Sequence, residues 1–285
     1  MKMIRPIVNL SKIIDDFDVV VVGLYGTLFD GNAFTSEVRD SFEHLYRQGK
    51  KIVIVSNTSK RVSDVVEILK QNGVNPKFFY SIVTAGEILH YQLKMKKGLF
   101  ASVGQKYYAF FKDEGVFDGL DYTQVFDISK ADFLYVGQKF SFDTQLEHYK
   151  PDLSFAASLN IPLVCAGNNT SNFNGGVISV DSGAFAEQYA TLGGAILTTG
   201  KPDVKILQYA LDGIGSDKDR IVFVGNNLQT DVKMANLFGI ASVLISKGIH
   251  KHFLGEGYIP DVAKTRELAN NFNVYPDYII SSFRF

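Results

Sequence analysis

The chain contains one cysteine, Cys165, so no disulfide can form within it, which suits a reducing compartment. Positive charge is not in surplus: 29 basic residues stand against 30 acidic ones, for a net charge of −1. With no polybasic tract either, nucleic acid is not an expected partner. The densest basic group, Lys94, Lys96 and Lys97, reads as a solvated turn, with an anion contact as the alternative. No apolar run approaches the roughly 20 residues that span a bilayer. Residues 1–18 lack the apolar stretch and small-residue cleavage site of a secretory signal. These absences lead us to expect a cytoplasmic protein without membrane contact. Internal repeats and low-complexity segments are missing as well. No Gly-x-Gly-x-x-Gly follows the first strand-like run, so the dinucleotide fingerprint is absent.

What is present is the composition of a globular protein. The 285 residues are 46% hydrophobic and 21% charged, enough for a large core and for two domains. Short β-branched runs alternate with helical patterns. Residues 19–22 and 52–55 read as strands. Residues 34–48 between them read as a helix, with Thr35 or Ser36 as N-cap and Val38, Phe42 and Leu45 at helical spacing. A second helix at 63–71 carries Val65, Val66 and Leu69 and stops at Asn72-Gly73. The rhythm returns with a strand at 195–198, a helix at 203–211, a strand at 221–224, a helix at 230–238 and a strand at 241–245. A last edge strand is expected near 276–280. Such alternation implies parallel strands with crossover helices on both faces.

The middle of the chain is richer in aromatics, among them Tyr107, Tyr108, Phe110, Phe111, Phe133 and Tyr135. It has strand-like runs of its own at 133–136, 161–165 and 177–180. We read it as a second α/β unit inserted into the first. The expected fold is therefore α/β: a Rossmann-like core formed by residues 1–83 and 196–285, and an inserted α/β cap formed by residues 84–195.

Ligands of open parallel sheets bind beyond the carboxyl ends of the strands. That rule marks residues 23–27, 56–59, 199–201 and 225–231. They hold, in order, Gly26-Thr27-Leu28, Ser56-Asn57-Thr58, Gly200-Lys201-Pro202 and Gly225-Asn226-Asn227-Leu228-Gln229-Thr230-Asp231. Ser56 and Asn57 offer hydroxyl, amide and backbone N–H groups to an anion, or else cap the helix that follows.

This ordered set resembles the haloacid dehalogenase (HAD) superfamily. Within it the set resembles class IIA, the NagD-like phosphatases with an α/β cap inserted after the second motif. Gly248-Ile249-His250 and Pro276-Asp277-Tyr278 fit that class, as do Cys165-Ala166, Ser182-Gly183-Ala184-Phe185-Ala186 and Leu192-Gly193-Gly194 in the cap. The resemblance covers nearly the whole chain. It implies phosphoryl transfer through an aspartyl-phosphate: one carboxylate attacks phosphorus, a second carboxylic acid protonates the leaving oxygen, and Mg²⁺ is held largely by carboxylates.

At four positions where the resemblance puts acids, this chain has none. The nucleophile falls on Gly23, which has no side chain. Asp18 lies roughly 16 Å upstream at strand rise, and Asp30 would need the loop to refold. The proton donor falls on Tyr25, a weak acid at neutral pH, with ring packing over the pocket as the alternative role. The metal aspartate falls on Asn226, which leaves the Tyr25 backbone carbonyl as the remaining family ligand. In the cap, the acid used in substrate selection falls on Asn169. Thr27, Ser56, Asn57 and Lys201 match the phosphate-binding frame. Asp231 matches a carboxylate close to the lysine, and capping a helix that begins near Thr230 is its other role.

The expectation is a HAD-fold protein with a degraded site, catalytically inactive or strongly impaired, that keeps a pocket for a small phosphorylated ligand or inorganic anion and needs no cofactor. Two alternatives stand beside it: a Mg²⁺-dependent phosphatase of a small phosphorylated metabolite, and an interaction scaffold without ligand. Caps of this class mediate dimers in some members, which keeps a homodimer among the expectations. His250 and His252 lack the further Cys or His partners of a metal site. Cys165 reads as a buried strand-end residue.

Overall fold

The computed structural model describes residues 3–29, 34, 36–137, 145–174, 177–255 and 257–285. Asp30 and Thr35, named above, lie outside the described residues. The first strands are β1 (Arg5–Pro6), β2 (Val19–Val22), β3 (Lys51–Ser56) and β4 (Phe79–Thr84). The middle of the chain adds β5 (Lys106–Ala109), β6 (Thr123–Gln124), β7 (Phe133–Val136), β8 (Leu163–Ala166), β9 (Ser171–Asn174) and β10 (Val177–Val180). The last four are β11 (Ile196–Thr199), β12 (Ile221–Gly225), β13 (Ala241–Ile245) and β14 (Tyr278–Ile280). The helices that matter below are α1 (Ser36–Arg47), α2 (Val62–Gln71), α3 (Ala85–Met95), α4 (Lys150–Ser158), α5 (Ser182–Thr191), α6 (Val204–Ala210) and α7 (Lys233–Phe238).

Four consecutive valines make β2, the strand on which the site is built. Their branched Cβ restricts the backbone to extended forms and packs well on a pleated surface. Because successive side chains point to opposite faces, the run is buried on both. Val20 and Val22 meet Phe42 and Leu45 of α1 and Val65 and Leu69 of α2. Val19 and Val21 meet Ile206 and Leu207 of α6 and Met234 and Ala235 of α7. This two-sided burial is characteristic of an all-parallel sheet. The sheet has seven strands in the order β1-β14-β13-β12-β2-β3-β4, every pair parallel. A second sheet runs β11-β8-β7-β5-β6, also parallel throughout, and β9 and β10 form an antiparallel hairpin.

Two strand assignments differ from the sequence reading. β11 was expected in the first sheet, yet it pairs with β8 from Ile196↔Leu163 to Thr199↔Ala166. The second sheet therefore runs past the expected boundary at residue 195. A short apolar run does not state which edge it will pair with. The final strand is not an edge: β14 lies between β13 and β1. The edge is Arg5–Pro6, where a proline without N–H is tolerated and where two residues show no periodicity to read.

The helix expected from residue 230 starts earlier. A π-type turn at Leu228–Val232 precedes α7, and the Asn227 side chain caps it by accepting from Gln229 N. α3 joins the two sheets. Its Leu89 and Leu93 lie in the core of the second unit, while Ile88 packs against the first. Thr84 caps it, accepting from the Glu87 N–H at 3.0 Å. Among the described residues no helix is long and apolar enough to cross a membrane.

Candidate functional site

The chain leaves β2 at Gly23, whose N–H makes the last rung of the ladder to the Val224 carbonyl at 2.9 Å. The Leu24 carbonyl then accepts from the N–H of Leu28 at 2.9 Å and of Phe29 at 3.3 Å, which closes a tight loop. Gly26 turns that loop with φ +72°, a conformation that favours glycine. The loop meets the ends of β3 and β12, the turn after β11, and Asn169 of the second unit. Leu24, Tyr25, Ser56, Asn57, Thr58, Asn169, Lys201, Asn226, Asn227, Thr230 and Asp231 line one small cavity of about 20 Å³. That is space for about one water. Three of the four sequence-marked stretches therefore converge at the ends of first-sheet strands. The third, at 199–201, arrives from the second sheet.

Lys201 is 5% exposed. Its Nζ lies 2.7 Å from Asp231 Oδ1 and donates to the Val55 carbonyl at 3.0 Å. The other Asp231 oxygen, Oδ2, accepts the backbone N–H groups of Asn226 at 2.9 Å and Asn227 at 3.1 Å. Both carboxylate oxygens are thus engaged, and the buried cation and anion offset each other. Asp231 reaches back to the loop before its helix, which matches its place beside the lysine and gives it a capping role as well.

Asn57 ties the turns together. Its Oδ1 accepts from Lys201 N at 2.6 Å, and its Nδ2 donates to the Lys201 carbonyl and to Asn169 Oδ1, both at 2.9 Å. Its amide is therefore a strut that also fixes Asn169 over the cavity. What remains for a ligand is the Asn57 backbone. The N–H groups of Asn57, Leu24 and Tyr25 have no acceptor among the described residues. Gly200 is held against this strut with φ +99°, and a Cβ there would sit 2.5 Å from Asn57 Oδ1. Ser56 Oγ accepts from Thr58 N at 3.3 Å and keeps a hydroxyl proton to give.

Asn226 is 6% exposed. Its Nδ2 donates to the Tyr25 carbonyl at 2.7 Å and to Thr27 Oγ1 at 3.0 Å, and its Oδ1 accepts from Ile249 N at 3.2 Å. These bonds bear on the metal that the resemblance implies. A small divalent cation needs hard oxygen donors, with carboxylates among them. Here position 23 offers none, the Tyr25 carbonyl is taken by an amide, and Asp231 is paired with Lys201. The residues present do not fit Mg²⁺. Among the described residues no group of three or more His, Cys, Asp or Glu converges elsewhere.

The Tyr25 ring packs edge-on to Phe29 at 5.7 Å between centroids. Burial, reinforced by Glu114, pushes its phenol up to about 12, so it stays protonated across the physiological range and is a weak proton donor. His250 is half-buried, and the desolvation of its ring drives the imidazole down to about 4. The neutral ring accepts from the Leu228 N–H at 3.2 Å and so holds the loop that carries Asn226. His252 is exposed, so the two do not converge on a metal. Cys165 is buried, its thiol raised to about 12 by desolvation, and it donates to the Gly167 carbonyl at 3.2 Å. Glu114 was missed by the sequence reading. Nothing local marks it, because its partners Ser59 and Lys60 are more than fifty residues away.

Comparison with known proteins agrees with this geometry. Residues 20–116 match the family model described as haloacid dehalogenase-like hydrolase, and residues 198–284 match one described as HAD-hydrolase-like. The sugar-phosphatase AraL of Bacillus subtilis (strain 168) is 25% identical over 258 residues, spanning 85% of this chain and 88% of that protein. A haloacid dehalogenase-like hydrolase from Brucella suis 1330 superposes with a TM-score of 0.80 at 24% identity, over 96% of this chain and 98% of its own. The 4-nitrophenylphosphatase from Thermotoga maritima superposes with a TM-score of 0.68 at 21% identity, over 94% and 95% of the two chains. The chain belongs to the haloacid dehalogenase superfamily, with the inserted α/β cap of class IIA.

Proposed function

We propose that the protein binds a small phosphorylated ligand or inorganic anion in this pocket and does not turn it over. One juxtaposition carries the reading: Leu24, Tyr25 and Asn57, whose N–H groups have no acceptor among the described residues, line a cavity beside the strand end at Gly23, a residue with nothing to attack phosphorus. Backbone N–H groups without acceptors are a seat for an anion. The nearest carboxylate, Asp231, is held by Lys201 and two amides. Loss of a covalent nucleophile costs on the order of 10⁶ in rate in well-studied hydrolases. The cavity is water-sized, so a phosphate enters only if the lining opens, and the Asn57–Asn169 bond, which ties lining residues of the two units together, is the contact we expect to yield. The phosphatase reading is favoured by its relatives, which include a sugar-phosphatase and a 4-nitrophenylphosphatase.

The deciding experiment is a phosphatase screen with Mg²⁺ present, run on the native chain beside the triple variant Gly23→Asp, Tyr25→Asp and Asn226→Asp. We expect no turnover by the native chain above the buffer rate. Clear turnover by it would sink the non-catalytic reading. Inorganic phosphate is expected to raise the melting temperature of the native chain by a few degrees at saturation; no rise would leave a scaffold without this ligand.

A further inference from the structure

The three bonds of the Asn226 amide settle which end of it is nitrogen. Reversed, Oδ1 would face the Tyr25 carbonyl oxygen, which has no hydrogen to give, and Nδ2 would face the Ile249 N–H. An N–H group therefore points at the strand-end carbonyl, with its second bond to Thr27 Oγ1. That hydroxyl in turn fills the volume above Gly23: a Cβ at position 23 would lie 2.8 Å from it. Gly26 and Gly248 close the space around the amide, since a Cβ on either would come within 2.9 Å of Asn226 side-chain atoms. Both amide N–H groups are thus used, and the side chain is tightly enclosed between Gly26 and Gly248.

We infer that the Asn226 amide takes the place of a divalent cation, so that anions are held here without metal. The inference rests on the proposed anion-binding function for its ligand class, a tetrahedral oxyanion such as phosphate. Its chemistry is specific. A cation bound at a carbonyl supplies positive charge and demands carboxylates around it. An amide N–H supplies partial positive charge in a fixed direction and demands none. The loss of acid at 23 and 226 is then one compensated change: the amide satisfies the carbonyl, and the hydroxyl it holds fills the space that a side chain at 23 would take.

The test uses the full chain, with magnesium chloride alone and inorganic phosphate alone as probes, read by melting temperature and by titration calorimetry. The native chain is expected to show no shift and no binding heat with millimolar Mg²⁺ relative to EDTA. Its phosphate-induced shift should be the same with Mg²⁺ as with EDTA. The pair Gly23→Asp/Asn226→Asp should acquire a Mg²⁺-dependent rise in melting temperature, because two carboxylates then flank the freed carbonyl. The inference is overturned if Mg²⁺ alone binds the native chain, or if phosphate shifts it only when Mg²⁺ is present. If phosphate has no effect in either condition while Mg²⁺ also fails to bind, the anion-binding function falls but the metal-free site stands. The native-chain titration decides the matter even where the variant does not fold.

Discussion

At the scale of single residues, the sequence shows where the family resemblance meets no carboxylate but not what the residues standing there do. That Asn226 carries no charge can be read from its letter. That its amide bridges Tyr25 and Thr27 across some two hundred residues depends on β2 and β12 lying side by side. The same holds for Gly23, where the space a Cβ would need is already bounded by Thr27 Oγ1 at 2.8 Å. Gly23→Ala is therefore expected to cost about 1–3 kcal/mol through overpacking, with the penalty falling by more than half in a Thr27→Ala background, where the opposing oxygen is gone. Urea denaturation of the four chains gives the coupling; equal penalties in both backgrounds would refute it. His250 sets a pH dependence. Its folded value of about 4 lies below the ordinary 6.5, so between those pH values the unfolded chain binds more protons than the folded one. Stability contributed by the neutral ring is complete above pH 6.5 and is lost as pH falls towards 4, by roughly 3 kcal/mol. His250→Gln, which keeps an acceptor for Leu228, should flatten that slope in denaturation midpoints measured across the range.

At the scale of elements, legibility followed periodicity and length. α1 and α2 were readable because their apolar residues recur at helical spacing, and β2 because four branched apolar residues stand together. β1 was not readable, since two residues carry no period. β11 was recognisable as a strand but not as a strand of the second sheet, because pairing is decided by partners distant in sequence. The third marked stretch still reaches the site: the turn after β11 delivers Lys201 to Asp231 even though it comes from the other sheet. α3 shows how closely the elements fit. Its Gly86 donates to the Thr58 carbonyl at 3.0 Å, and a Cβ there would lie 1.9 Å from the Ser59 backbone oxygen. Backbone cannot yield as a side-chain tip can, so Gly86→Ala should destabilise by about 3 kcal/mol or more. The displaced 58–60 loop would also disturb Asn57. The denaturation midpoint checks the first effect, and loss of the phosphate-induced stabilisation checks the second.

At the scale of the whole molecule, the two sheets are fastened around the pocket by polar contacts as well as by α3. Asn57 holds Asn169. Glu114 accepts from Ser59 Oγ at 2.9 Å and pairs with Lys60 Nζ at 2.8 Å. Arg61 grips Glu87 with two nitrogens, both at 2.8 Å, and also donates to the Gly115 carbonyl at 3.4 Å. The guanidinium holds the Glu87 carboxyl below its usual range. All three contacts spring from the stretch after β3, so one short loop carries the strut at the cavity and the fastening of the cap. None of this was legible in the sequence, because charged residues such as Lys60 and Glu114 look like any solvated pair until the fold brings them together. The arrangement implies that cap and pocket respond together. Glu114→Ala removes two bonds from the fastening and leaves Lys60 to solvent, which should cost about 1–2 kcal/mol. Hydrogen exchange should then quicken in residues 110–118 and around Asn169, while the amides of β2 and β3 keep their protection. With the Asn57–Asn169 bond easier to open, phosphate should enter more readily and its apparent affinity should rise. Uniform loss of protection across both sheets would mean that Glu114 serves global stability alone, and unchanged exchange near Asn169 would show that the fastening and the pocket are independent.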